Sequence, residues 1–338
     1  IGTISFLSLI NSHLNLQLSE LNLSNILYSF RWFYHAFLVS ITTSLCMNRR
    51  LQKLFLNGIV AGCFLTLLIT IYIWLQYPVF APFSKIPMLH IIYIDGFSIN
   101  RNYLGFVLSI GASISYGLYF IESNVRFKLF YLIISVIFFM ALILTFSKGS
   151  WISITALLFI SFIRNIKRFK TYIISFILFI STVYSSRFNI FENILRRITM
   201  SDKYNEIRLQ FLNESFKLTL DNPILGVGPQ AYKSAAIDYD YLPTVDPHNS
   251  FTWVSSELGL FSFLIICFIF VQTFKNIYFL YKVDDEPLSL PLLNLVIIFF
   301  IHSFLAGLTI SSRYFWLIIG LTQGIIIYRK NLLKKRIT

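Results

Sequence analysis

Apolar runs of roughly 17–25 residues follow one another along most of the chain, separated by short polar joints, and their hydrophobic positions do not alternate as strand residues would. The pattern predicts an all-α, polytopic transmembrane helical bundle and argues against a membrane β-barrel. Spans are expected at 26–47, 54–76, 102–121, 130–145, 151–163, 172–184, 251–274, 288–308 and 314–328, about nine complete crossings. A stub at 1–10 is too short to cross and lacks the basic start of a signal peptide, so the sequence reads as a fragment missing one or more N-terminal helices. One polar stretch interrupts the series, and 185–250 is expected to be a large extramembrane loop inserted into a single membrane domain spanning 1–338.

Composition agrees with this reading. The chain is 56% hydrophobic and 13% charged with mean hydropathy +0.70, more apolar side chain than one soluble core of this length would bury. A formal charge of +13 raises nucleic acid as a partner, but the cations fall in clusters between spans. Arg49, Arg50 and Lys53, Arg126 and Lys128, Arg164 to Lys170, Lys275 and Lys282, and the tail from Arg329 to Arg336 gather on one side; Lys85, Arg101, Lys148 and Arg313 stand on the other. That asymmetry orients the bundle, disfavours nucleic acid as a partner, and places Arg101, Lys148, Arg208, His248 and Arg313 on the non-cytoplasmic face of the bilayer. Cys46, Cys63 and Cys267 lie in or at the ends of apolar runs and read as packing residues without metal-ligand spacing.

The outward cations have two readings: each can snorkel to headgroups, or together they suit an anionic lipid-linked diphosphate. In the long loop, 204–220 reads as a helix with an apolar stripe at Leu209, Leu212, Phe216 and Leu220 for the membrane surface or the bundle, and Arg208 lies beside it. Gly226-Val227-Gly228-Pro229 is a turn that could cradle a phosphate, although a purely structural turn is the commoner use. His248 follows Asp246-Pro247 and precedes Asn249-Ser250, a helix N-cap pattern, which puts its imidazole at the membrane–water boundary with Asp246 near enough to orient it. Glu257, two turns into the next span, is costly to ionise there and needs a partner, for which Arg31 or another cation on a neighbouring helix is a candidate. His302 reads as a packing residue.

Three segments together resemble the O-antigen ligase and O-antigen polymerase superfamily: Asn222-Pro223-Ile224-Leu225-Gly226-Val227-Gly228-Pro229-Gln230-Ala231-Tyr232, Pro247-His248-Asn249-Ser250-Phe251, and Glu257-Leu258-Gly259-Leu260-Phe261. Thr145-Phe146-Ser147-Lys148-Gly149-Ser150-Trp151 resembles that family's tight outer turn, with Lys148 where the basic position is usually Arg. The resemblance implies a glycosyltransferase in a bacterial inner membrane, active on the periplasmic face, that moves a glycan from undecaprenyl diphosphate to a hydroxyl acceptor without nucleotide sugar, metal or other cofactor. It implies His248 as base, supported by Asp246 or Glu257, with Arg208, Arg101 and Lys148 on the diphosphate. Arg313, Asn249, Gly226 and Gly228 complete the expected substrate-binding set. The acceptor would be lipid A-core for a ligase or a growing glycan for a repeat-unit polymerase. A transporter of lipid-linked saccharides is the competing class; it calls for midplane charges and inverted repeats, and no convincing repeat is seen.

Overall fold

The computed structural model describes residues 1–16, 23–76, 101–164, 202–236, 247–282, 286–305 and 310–337. Among them there are helices and turns and no strand, as the absence of apolar alternation requires. The helices are α1 (Gly2–Asn11), α2 (Leu23–Cys46), α3 (Arg49–Gln76), α4 (Arg101–Ile121), α5 (Val125–Leu144), α6 (Lys148–Arg164), α7 (Asp202–Asp221), α8 (Tyr232–Ala236), α9 (Ser250–Lys282), α10 (Ser289–Leu305) and α11 (Arg313–Ile337), with a π-helical turn at Ser12–Leu16 after α1. Of these α3, α4, α5 and α9 are each long and apolar enough to cross a bilayer. The chain is a membrane protein. The span expected at 172–184, the basic joint at 165–170 and the outer connection at 77–100 lie outside the described residues.

Three boundaries differ from the sequence expectation. The turn placed at 147–150 is one element earlier: Thr145 closes it by donating to the Leu142 carbonyl, Phe146 takes the left-handed conformation (φ 51°), and Ser147 opens α6 with its carbonyl accepting the Trp151 N–H. Lys148 and Gly149 are therefore first-turn residues of a helix. The inner joint expected at 275–287 is helical as far as Lys282, because Ile277 and Leu280 keep burying the same face. The basic tail continues α11 to Ile337, built largely of Lys, Arg and Leu, which lose little side-chain freedom in a helix.

The chain forms two compact units: one of Ile1–Gln52, Lys203–Asp284 and Ser303–Thr338, the other of Lys53–Asp202 and Asp285–His302. In the second unit α4 is buried on nearly all sides from Leu104 to Leu118. Its glycines admit close neighbours: Gly105 faces Ser147 and Ser150 at the start of α6, Gly111 faces Phe138 of α5 and Cys63 of α3, and Gly117 faces Pro291 of α10. Ser109 and Ser115 return their hydroxyl protons to the Gly105 and Gly111 carbonyls, so these two hydroxyls are satisfied in the apolar interior. Outside the spans, Glu122 bonds Lys53, and that hydrogen bond holds its carboxyl below the usual range.

In the first unit α2 and α11 run parallel, since Gly320 meets Val39 and Thr42 while Gly324 meets Thr43 and Cys46. Thr43 donates to the Gly320 carbonyl at 3.2 Å. Gly320 and Gly324 form a small-residue seam at four-residue spacing, which lets two backbones approach where lipid gives no hydrophobic drive. Gly324→Leu should destabilise the purified protein by about 1–3 kcal/mol through overpacking, read as a lower midpoint in denaturant. Gly58, with open space around it, is the control: Gly58→Ala should raise stability by about 0.5–1 kcal/mol.

Candidate active site

The first unit assembles most of the expected site around a break in α9. Gly259 (φ 78°, ψ 170°) interrupts the helix, so a short segment from Ser250 is followed by a long one running to Lys282. Such a backbone angle is open to glycine and closed to L side chains, and a Cβ there would collide with the Ile224 carbonyl. The break frees backbone groups within apolar surroundings, and the turn after α7 takes them up. Val227 donates its N–H to the Ser256 carbonyl at 2.8 Å and Gly228 to the Glu257 carbonyl at 3.0 Å, while the Leu260 N–H is accepted by the Pro223 carbonyl at 2.8 Å. Ser8 of α1 adds its hydroxyl to the Leu225 and Glu257 carbonyls. Gly226, with its own N–H on the Asn222 carbonyl, lies flat against the Glu257 peptide.

Of the two uses open to the Gly226–Gly228 turn, this is the structural one: the three successive amides are spent on protein carbonyls. The turn aligns Glu257, 2% exposed, at the end of the short helical segment. Arg31, the candidate partner of that carboxylate, forms no ion pair among the described residues; its guanidinium stands 4.3 Å above the Tyr28 ring.

Asn249 caps α9 as its sequence context predicts, its side-chain oxygen accepting the N–H groups of Phe251 (2.9 Å) and Thr252 (3.2 Å). His248, immediately before it, is left-handed (φ 53°), a conformation that costs an ordinary residue about 1–2 kcal/mol. That backbone brings the half-buried imidazole against the Phe211 ring of α7, with centroids 6.2 Å apart. Arg208 is one turn before Phe211 on the same side of α7 and is exposed. His248 and Arg208 thus face the same stretch of α7. Asp246 lies outside the described residues.

The stripe Leu209, Leu212, Phe216 and Leu220 faces outward, Phe216 and Leu220 being 60% and 61% exposed, while the opposite face packs inward. Thr219 and Ser255 share a buried hydrogen bond of 3.0 Å between α7 and the short segment of α9. Among the described residues the stripe is not covered by the bundle. In the second unit, Arg101 and Lys148 occupy the first positions of α4 and α6, whose starts adjoin through Gly105, Ser147 and Ser150. Both cations therefore add to the positive ends of helix dipoles, an arrangement that attracts anions. Arg313 opens α11, its guanidinium 6.0 Å from the Tyr34 ring.

Glu214 is a residue the sequence did not single out. It lies on the inward face of α7, 3% exposed, with Oε2 accepting the Tyr232 hydroxyl at 3.0 Å and Oε1 without a partner among the described residues. Burial pushes its carboxyl above the usual range, against the smaller opposing pull of the Tyr232 hydrogen bond. In sequence it is one more acid in a polar helix, and only its spacing from Phe211 and Leu218 hinted at burial.

Residues 133–267 match the family model of the O-antigen ligases. That segment is similar to the O-antigen ligases. It runs from α5 to beyond the α9 break and includes every first-unit residue of the stapled turn except Ser8. No curated protein matches the chain. The likeness supports a membrane enzyme of the general glycosyltransferase type, and the transporter reading finds no support in it.

Gly259→Ala should cost more than an ordinary helix substitution, lowering the amount of folded protein recovered from membranes, because the φ 78° backbone and the Ile224 carbonyl both oppose a Cβ. Glu214→Gln keeps an acceptor for Tyr232 and removes the titration. The carboxyl's folded pKa is raised, so its contribution is complete below the ordinary Glu range and is lost as pH rises toward the folded value. The variant should melt above the native protein at pH 8, with the gap closing toward pH 4; a pH-independent gap would contradict the assignment.

Proposed function

We propose that the chain transfers a glycan from a polyprenyl diphosphate to a hydroxyl acceptor on the periplasmic face of a bacterial inner membrane, in the manner of an O-antigen ligase. The observation that carries the reading is His248. A left-handed residue at the mouth of a helix is kept against its own strain, and it presents an imidazole to the side of α7 that also bears Arg208. Histidine is the side chain suited to exchange a proton near neutral pH, and arginine to grip a diphosphate with two prongs.

In this reading the acceptor hydroxyl attacks the anomeric carbon of the donor sugar and His248 takes its proton. The new glycosidic C–O bond forms as the bond to the diphosphate breaks, and the electron pair leaves with the polyprenyl diphosphate. Charge grows on that leaving group, so Arg208 supplies electrostatic stabilisation; Arg101 and Lys148 are assigned from sequence to phosphate binding. Glu257 supports the base through the short α9 segment that both residues occupy or adjoin, and Asp246 is assigned the orienting role. Asn249 fixes where that segment begins; Gly226 and Gly228 fix its far end.

His248→Ala in cells lacking the native enzyme should lower glycan transfer by about 100- to 10,000-fold, the range of a lost general base, with the protein still inserted in the membrane. Undiminished transfer would remove the residue from the mechanism. Arg208→Lys keeps the charge and loses the fork, so the Michaelis constant for the lipid donor should rise roughly tenfold. Surface glycan of a deletion strain separates acceptors: no long glycan on the core means ligation, and core bearing a single repeat means polymerisation.

A further inference from the structure

A second cluster gathers where α11 begins against α2, around Arg313, which the resemblance groups with the substrate-binding residues. Trp316, in the first turn of α11, stacks on His35 with centroids 5.3 Å apart and planes 12° apart, and Trp32 packs edge-on to both rings. His35 is 1% exposed. Neither of its ring nitrogens has a hydrogen-bond partner among the described residues, nor does the Trp32 indole nitrogen, nor the Ser312 hydroxyl just ahead of α11. The charges facing His35 are both positive: Arg31, one turn earlier on α2, and Arg313, the first residue of α11. Neither guanidinium has an ion pair among the described residues; each lies against a tyrosine, Arg31 over Tyr28 and Arg313 near Tyr34.

These groups share one chemical bias. The indole N–H, one imidazole N–H, the Ser312 hydroxyl and two guanidinium groups are donors, and the positive end of the dipole of the 25-residue α11 adds to them. Buried donors are costly to leave without acceptors, so the missing component is one that offers several acceptor oxygens and negative charge. We infer that the start of α11, with Arg31, His35, Trp32, Ser312 and Arg313, is a binding site for a lipid-borne phosphate group. The aromatic walls suit the apolar part of such a ligand and the two arginines its oxygens. The site does not depend on the transferase reading, because an anionic phospholipid headgroup and an isoprenyl diphosphate present the same oxygens.

The test uses the full-length protein in neutral detergent, with retained lipid counted by native mass spectrometry. Phosphatidylglycerol, geranylgeranyl diphosphate and inorganic phosphate are titrated separately, with phosphatidylcholine as the reference. The native protein should retain one of the phosphate probes in preference to phosphatidylcholine. Arg31→Gln with Arg313→Gln should weaken that retention at least tenfold, and His35→Gln, a milder change, should weaken it less. Arg208→Gln, which removes the diphosphate contact of the proposed transfer site, should leave phosphatidylglycerol retention unchanged, and geranylgeranyl diphosphate is assigned to the new site only where the double variant loses it. Preference for phosphatidylglycerol identifies a headgroup site, preference for geranylgeranyl diphosphate an isoprenoid site, and phosphate alone a free-anion site. Equal retention by the native protein and by His35→Gln and the double variant, all eluting as monodisperse species, overturns the inference. Loss of glycan transfer in an otherwise normal lipid-binding profile would instead concern the function proposed above.

Discussion

Within the first unit, much follows from one constraint: a helix long enough to span the membrane is broken part-way, and the backbone groups released by the break must be bonded inside the protein. In hydrocarbon an unsatisfied peptide costs several kcal/mol, so a broken span survives only where other backbone comes to meet it. The turn from Asn222 to Gly228 does so with two amides and one carbonyl, and Ser8 contributes a hydroxyl. Because the turn is fixed to the break, α7 is fixed too, and with it the face that carries Phe211 and Arg208. The imidazole of His248 is thereby positioned by the same main-chain bonds that repair the helix.

Glycine has a different use in each setting. At Gly226 and Gly259 the backbone angle and the near approach of another peptide both exclude a side chain. At Gly320 and Gly324, and at the three glycines of α4, the helix is regular and only the nearness of a neighbour matters. A membrane bundle gains little from burying apolar surface against apolar lipid, so close packing and satisfied hydroxyls, as at Thr43, Ser109 and Ser115, take a larger share of its cohesion.

What was legible in the sequence was what depends on local pattern. Apolar length fixed α2 to α5, α9 and α10 to within a few residues at most of their described ends, and the polar run around 204–220 gave α7 almost to its ends. The Asn249 cap was readable because capping is a local bond. Three features were not readable, each for a long-range reason. The continuation of α9 past Lys275 depends on what Ile277 and Leu280 pack against. The outward direction of the Phe216 stripe depends on a polar inner face, where Glu214 and Thr219 find partners in Tyr232 and Ser255. The role of Gly226 to Gly228 depends on a helix break about thirty residues further on, which spacing alone does not reveal.

The repair of the α9 break is made almost wholly of main-chain atoms, and this sets which positions are free to vary. Ser256, Glu257 and Pro223 contribute carbonyls that any residue possesses, and Val227 and Leu260 contribute amides that any residue but proline possesses. The architecture is therefore indifferent to most side chains along these segments and intolerant only where a Cβ would intrude. Descendants of such a chain can rework the chemistry presented at Glu257 without disturbing the frame, and the durable trace of the fold in sequence is a spacing of glycines.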